Sequence, residues 1–93
     1  MIRHIYLFKI KDKSKIDEAR NKMMGLKANI PYIKDIEVGE DFRHGENSWD
    51  LCQMITFDNM EDFKRFIDEP YHAIIRKYMS SIREDGIKID YEI

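Results

Sequence analysis

The sequence predicts an α+β domain in which a four-stranded antiparallel sheet carries its helices on one side. Three observations predict it. Segments of alternating apolar residues and two amphipathic helical stretches follow one another in the order β-α-β-β-α(α)-β. Only the first and third strands are apolar on both faces, which marks them as the central pair. The chain has 93 residues, enough for one domain over 1–93 and no more.

Residues 2–10 read as the first strand. Ile2, His4, Tyr6, Phe8 and Ile10 share one face, and Arg3, Ile5, Leu7 and Lys9 the other. Lys11–Lys13 form a polar loop, and Ser14 is the expected helix cap. Ile16, Ala19, Met23, Leu26 and Ile30 then recur at helical spacing until Pro31 stops the run. The second strand is expected over 33–42, with Ile36, Val38 and Phe42 on one face. A polar turn around Gly45 leads into a third strand over 49–57, where Leu51, Gln53, Ile55 and Phe57 alternate with Cys52 and Met54. Asp58 with Glu61 resembles a capping box for a short helix through Phe63, Phe66 and Ile67. Pro70 breaks that helix and opens another, striped by Tyr71, Ile75, Tyr78, Met79 and Ile82. Gly86 is expected to end it, leaving Ile87, Ile89, Tyr91 and Ile93 alternating with polar residues as the last strand.

This order is the split βαβ, or ferredoxin-like, arrangement βαββα(α)β. Helices cover one face of its sheet. Ile5, Leu7, Cys52 and Met54 on the other face need a second cover, and another copy of the same sheet is the simplest one. A homodimer through the sheet face is therefore expected. The charge balance, 16 basic against 18 acidic residues with no basic block, argues against nucleic acid and anionic membranes. The third strand also lacks the basic, glycine-aromatic pattern of an RNA-recognition sheet. Cys52 is the only cysteine, which forms neither an internal disulfide nor a thiolate metal site and suits a reducing cytoplasm. The opening residues do not have the layout of a signal peptide, so a cytoplasmic protein is the expectation.

Several segments resemble the stress-responsive A/B barrel (Dabb) family. Ile2-Arg3-His4-Ile5-Tyr6-Leu7-Phe8-Lys9 is similar to its first strand, and Ile30-Pro31-Tyr32-Ile33 with Glu37-Val38-Gly39 to its turn into the second. Trp49-Asp50-Leu51 through Thr56-Phe57 resembles its third strand. Glu69-Pro70-Tyr71-His72 resembles the His-Pro-x-His motif opening its last helix, and Asp90-Tyr91-Glu92 its final strand. The resemblance implies a dimeric α/β barrel with a pocket between sheet and helices in each subunit. It also implies, by likeness to a plant polyketide cyclase of the family, cofactor-free acid/base work by His72, with His4 as the pocket histidine of strand one. Two positions depart from that cyclase: Leu51 stands where it has a further pocket histidine, and Phe66 where it has a pocket tyrosine.

His72 and His4 are thus the candidate catalytic residues. Imidazole suits general acid/base work because its ordinary pKa lies near neutrality. Tyr6, Phe8, Leu51, Phe66, Tyr71 and Ile75 are the expected pocket wall, around a small apolar or aromatic molecule. The competing reading makes both histidines buried, hydrogen-bonded parts of the core, and the aromatic residues ordinary packing. No cofactor or metal is expected, since no phosphate-binding glycine loop, HExxH or CxxC is present. The alternatives are a ligand-binding or purely structural dimer, and a cofactor-free or haem monooxygenase on the same barrel.

Overall fold

The computed structural model describes all 93 residues. Its strands are β1 (Ile2–Ile10), β2 (Asp35–Glu40), β3 (Leu51–Phe57) and β4 (Arg83–Glu92). Its α-helices are α1 (Ile16–Met24), α2 (Leu26–Asn29), α3 (Met60–Ile67) and α4 (Pro70–Ile82). All strand pairs are antiparallel, in the order β2-β3-β1-β4. The strands that are apolar on both faces, β1 and β3, are indeed the central ones.

The alternation of β1 decides what faces the helices. Ile2, His4, Phe8 and Ile10 are buried and Tyr6 is half-buried, whereas Ile5 and Leu7 lie on the open face. Ile55 and Phe57 of β3, Ile36 and Val38 of β2, and Ala19, Met23 and Leu26 of the first helices join one core cluster with Phe66, Ile75 and Met79. Full burial of a side chain such as Ile55 contributes about 1.5–3 kcal/mol. Its truncation to Ala would cost about 2–5 kcal/mol, because the cavity adds to the lost transfer energy.

Local chemistry shifts several element ends from their expected places. Asp12, not Ser14, caps the first turn: its carboxylate accepts from the Ser14 N–H at 3.0 Å and the Ser14 hydroxyl at 2.7 Å. The helix before Pro31 is split at Gly25 into α1 and α2. β2 is shorter than expected, ending at Glu40, so Phe42 is 92% exposed instead of sharing a face with Val38. The α3 cap is Asn59, whose side chain accepts from the Asp62 N–H at 2.9 Å. Pro70 opens α4 as expected, since its fixed φ suits the first turn and its missing N–H would have no partner there.

Gly86 does not end α4. It lies inside β4, opposite Phe8, where a Cβ would sit 2.6 Å from the Tyr6 ring, and this is why the position is glycine. β4 also turns its apolar residues outward: Ile87 and Ile89 are 56% and 59% exposed beside Leu7 and Ile5 on the open face. Its inward positions are Gly86, Lys88 and Asp90, opposite Phe8, Tyr6 and His4. A register shift between Lys9 and Ile10 brings Arg83, rather than Glu84, opposite the inward Ile10.

Candidate acid/base pocket

Between the β1–β4 side of the sheet and helices α3 and α4 lies a cavity of about 330 Å³. His4, Tyr6, Phe8, Phe66, His72 and Ile75 all line it. Two expected wall residues do not. Leu51 is a buried core residue on the β2–β3 side of the inner face, paired with Phe8 and Glu40. Tyr71 points its hydroxyl toward the α1–α2 break, 3.9 Å from where a Cβ on Gly25 would lie. The helical turn that aims His72 at the sheet necessarily aims its neighbour Tyr71 elsewhere.

His72 is placed by the joint between α3 and α4. The last carbonyls of α3 have no partners within the helix, and the Phe66 carbonyl accepts from the Glu69 N–H at 3.1 Å and from His72 Nδ1 at 3.0 Å. That bond puts the proton on Nδ1 and leaves Nε2 as the free lone pair. The imidazole stacks on the Phe66 ring at 3.8 Å and 21°. Burial pulls its pKa from 6.5 down to about 4; the bond to Phe66 opposes this, and the charges of Arg76, His4 and Lys88 add to it. At neutral pH, His72 is therefore an uncharged base.

His4 reaches the same cavity from β1 and is 8% exposed. Its Nδ1–H donates to the Asp90 carboxylate across the β1–β4 pair. The carboxylate fixes the tautomer and orients the ring, as a second partner does for many working histidines. The Phe66 ring lies 3.8 Å from the His72 ring and 6.2 Å from the His4 ring, centroid to centroid. Tyr6 stacks on Phe8 at 4.2 Å, and its hydroxyl accepts from Arg83.

Asp90, Lys88, Arg76, Arg83 and Gln53 also line the cavity and were not expected there. The polar residues of β4 read as a solvated edge in the sequence. Only the antiparallel register, which sets Asp90 opposite His4 and Lys88 opposite Tyr6, turns them inward. Cys52 lies outside the pocket on the open sheet face. Burial, then the nearby Glu37 carboxylate, pushes its thiol pKa up, so it is a poor nucleophile. No three His, Cys, Asp or Glu side chains come together in a way that could hold a metal ion.

Residues 2–93 match the stress responsive A/B barrel domain. The chain belongs to that family. A stress-response A/B barrel domain-containing protein of Arabidopsis thaliana is 22% identical, over 98% of this chain and 85% of the relative. A dimeric protein of unknown function and ferredoxin-like fold from Bacteroides fragilis superposes with a TM-score of 0.84 at 29% identity, covering 99% of this chain and 95% of that one. The hydroxynitrile lyase of Passiflora edulis superposes with a TM-score of 0.87 at 21% identity, covering 99% and 92%. At that identity the lyase shares the A/B barrel fold, and the likeness goes no further. No helix of the domain is long and apolar enough to cross a membrane.

Proposed function

We propose that this A/B barrel domain binds a small aromatic or otherwise apolar carbonyl compound in the His4–His72 cavity and moves a proton on it without a cofactor. The observation that carries the reading is the state of His72. It is uncharged at neutral pH, its Nδ1 is held by the Phe66 carbonyl, and its Nε2 is free. Nε2 takes a proton from the carbon beside the carbonyl, and the C–H electron pair moves into an enolate. The imidazolium then returns the proton to carbon or to oxygen. His4, held by Asp90, offers Nε2 as the second proton-handling atom. With Phe66 and Leu51 at positions where the family's cyclase has polar groups, the chemistry is narrower than chain cyclisation.

A thermal-shift screen of small ketones, phenols and arylacetaldehydes on the native protein and His72→Ala tests this. Ligand binding to the folded state raises the melting temperature by linkage. At least one carbonyl compound should stabilise the native protein and not the variant, and exchange its α-hydrogen for deuterium only with the native protein. A ligand that binds without exchange would leave a binding protein. A broad panel that shifts neither protein would count against the pocket altogether.

A second copy of the chain covering the open sheet face completes the reading, as a dimeric barrel. Ile5, Leu7, Ile87 and Ile89 form a continuous apolar patch there, and the Bacteroides relative is described as dimeric. Light scattering at micromolar concentration should give twice the mass of the chain; a monomer would overturn the assembly.

A further inference from the structure

We infer that the cavity is built for an anion, and that its ligand is a small aromatic carbonyl compound that also bears a carboxylate, rather than a neutral one. The inference rests on the pocket proposed above and narrows what enters it. Three cationic side chains, Arg76, Arg83 and Lys88, line the cavity with a single acid, Asp90. The chain's four ion pairs are His4–Asp90, Lys13–Asp50, Lys34–Asp58 and His44–Asp41, and none uses any of the three cations. Asp90 is already committed to His4. Leaving the two imidazoles aside, three cations against one acid give the lining an excess of two positive charges in a chain whose net charge is −2.

Secondary structure gathers these charges at one place. Arg76 follows His72 by one helical turn, and Arg83 follows Arg76 by seven residues just beyond the end of α4. The register shift in β4 turns Arg83 inward, where its guanidinium donates to the Tyr6 hydroxyl. Lys88 arrives from the inward face of β4, opposite Tyr6. Arg76 and Lys88 are exposed, so they stand at the mouth, while Arg83 is half-buried. Both Arg76 and Lys88 lie near enough to His72 to disfavour its protonation.

An unpaired guanidinium and ammonium at the edge of an aromatic cavity match one ligand design. A carboxylate sits between Arg76 and Lys88, which suits the fork geometry of arginine, and a flat apolar body lies against Phe63 and Phe66. The same cations would meet an enolate oxygen as its charge develops, so recognition and proton transfer favour the same sign.

Calorimetric titration with benzoate, benzamide and benzaldehyde at fixed ionic strength tests the inference. The proteins are the native chain, His72→Ala and the double variant Arg76→Gln/Lys88→Gln. Both substituted cations are exposed, so the double variant should fold. The native chain should bind benzoate about tenfold more tightly than benzamide, and the double variant should lose that preference while keeping its affinity for benzaldehyde. Equal binding of benzoate and benzamide overturns the charge preference. A preference that survives in the double variant overturns the role of these two residues. Benzaldehyde binding that depends on His72 without any benzoate preference would leave the acid/base reading standing and remove this one. If no probe binds, both readings fall.

Discussion

His72 and His4 carry the same imidazole into different surroundings. His72 is held by a neutral carbonyl and pressed by burial and nearby cations, so it stays uncharged to about pH 4. His4 is held by a carboxylate. The difference has a measurable consequence for stability. Between pH 6.5 and about 4 the unfolded ring of residue 72 binds a proton that the folded ring refuses, so stability is full above this window and is lost as pH falls through it. The loss attributable to His72 should be roughly 1–2 kcal/mol at pH 4.5, with allowance for solvent screening of a ring that reaches the cavity. Urea midpoints of the native protein and His72→Gln at pH 7.5 and 4.5 read it; equal pH slopes in the two proteins would sink the assignment. Asp90→Asn tests the other histidine. It removes the acceptor that fixes the His4 tautomer and should lower any turnover at least tenfold while changing stability by about 1 kcal/mol or less. Unchanged turnover would make the pair structural.

At the scale of the element, β4 does more for the pocket than its composition suggests. It places Asp90 and Lys88 inward, and its register shift adds Arg83. Gly86 leaves room for the stacked Tyr6–Phe8 pair: its φ is not positive, so the need for glycine is steric rather than conformational. Gly86→Ala should therefore cost about 1–3 kcal/mol and disturb Tyr6, because the new methyl meets a ring that Phe8 holds in place. A near-ultraviolet spectrum and urea midpoint equal to the native ones would refute this. The α3–α4 joint is fixed from the other side. The Tyr32 hydroxyl donates to Glu69 at 2.9 Å, and Arg65 covers the Tyr32 ring at 4.3 Å. The Tyr32 phenol is pushed up to about 12 by burial and then by Glu69, so it remains a donor to that carboxylate. The turn into β2 thereby steadies the residues that aim His72.

For the whole molecule, the two faces of the sheet divide the work. The inner face holds the core and the cavity, and the outer face is apolar without a cover in the single chain. Ile89 is 59% exposed, so its replacement hardly alters the packing of one subunit. In the proposed dimer the same residue is buried against a copy of itself or its neighbours. Ile89→Lys should then weaken association by tenfold or more, because it removes apolar burial and adds an unpaired charge to the interface. Sedimentation equilibrium across a dilution series reads the effect, and an unchanged dimer would move the interface elsewhere.

The sequence by itself determined the element order, the central position of β1 and β3, and the inward face of β1 with His4, Tyr6 and Phe8. Those follow from periods of two and 3.6 residues, which are local. It also placed His72 at the start of α4 through Pro70. The tertiary structure alone decided what those histidines meet. Asp90 lies 86 residues from His4 along the chain, and no local pattern encodes which of two polar faces an edge strand turns inward. The same reason explains Leu51 and Tyr71, which have the right type and the right neighbours for a pocket wall yet do not line it. Strand register and the relative rotation of packed helices arise from many weak contacts satisfied together, and they gathered Arg76, Arg83 and Lys88 beside the two imidazoles.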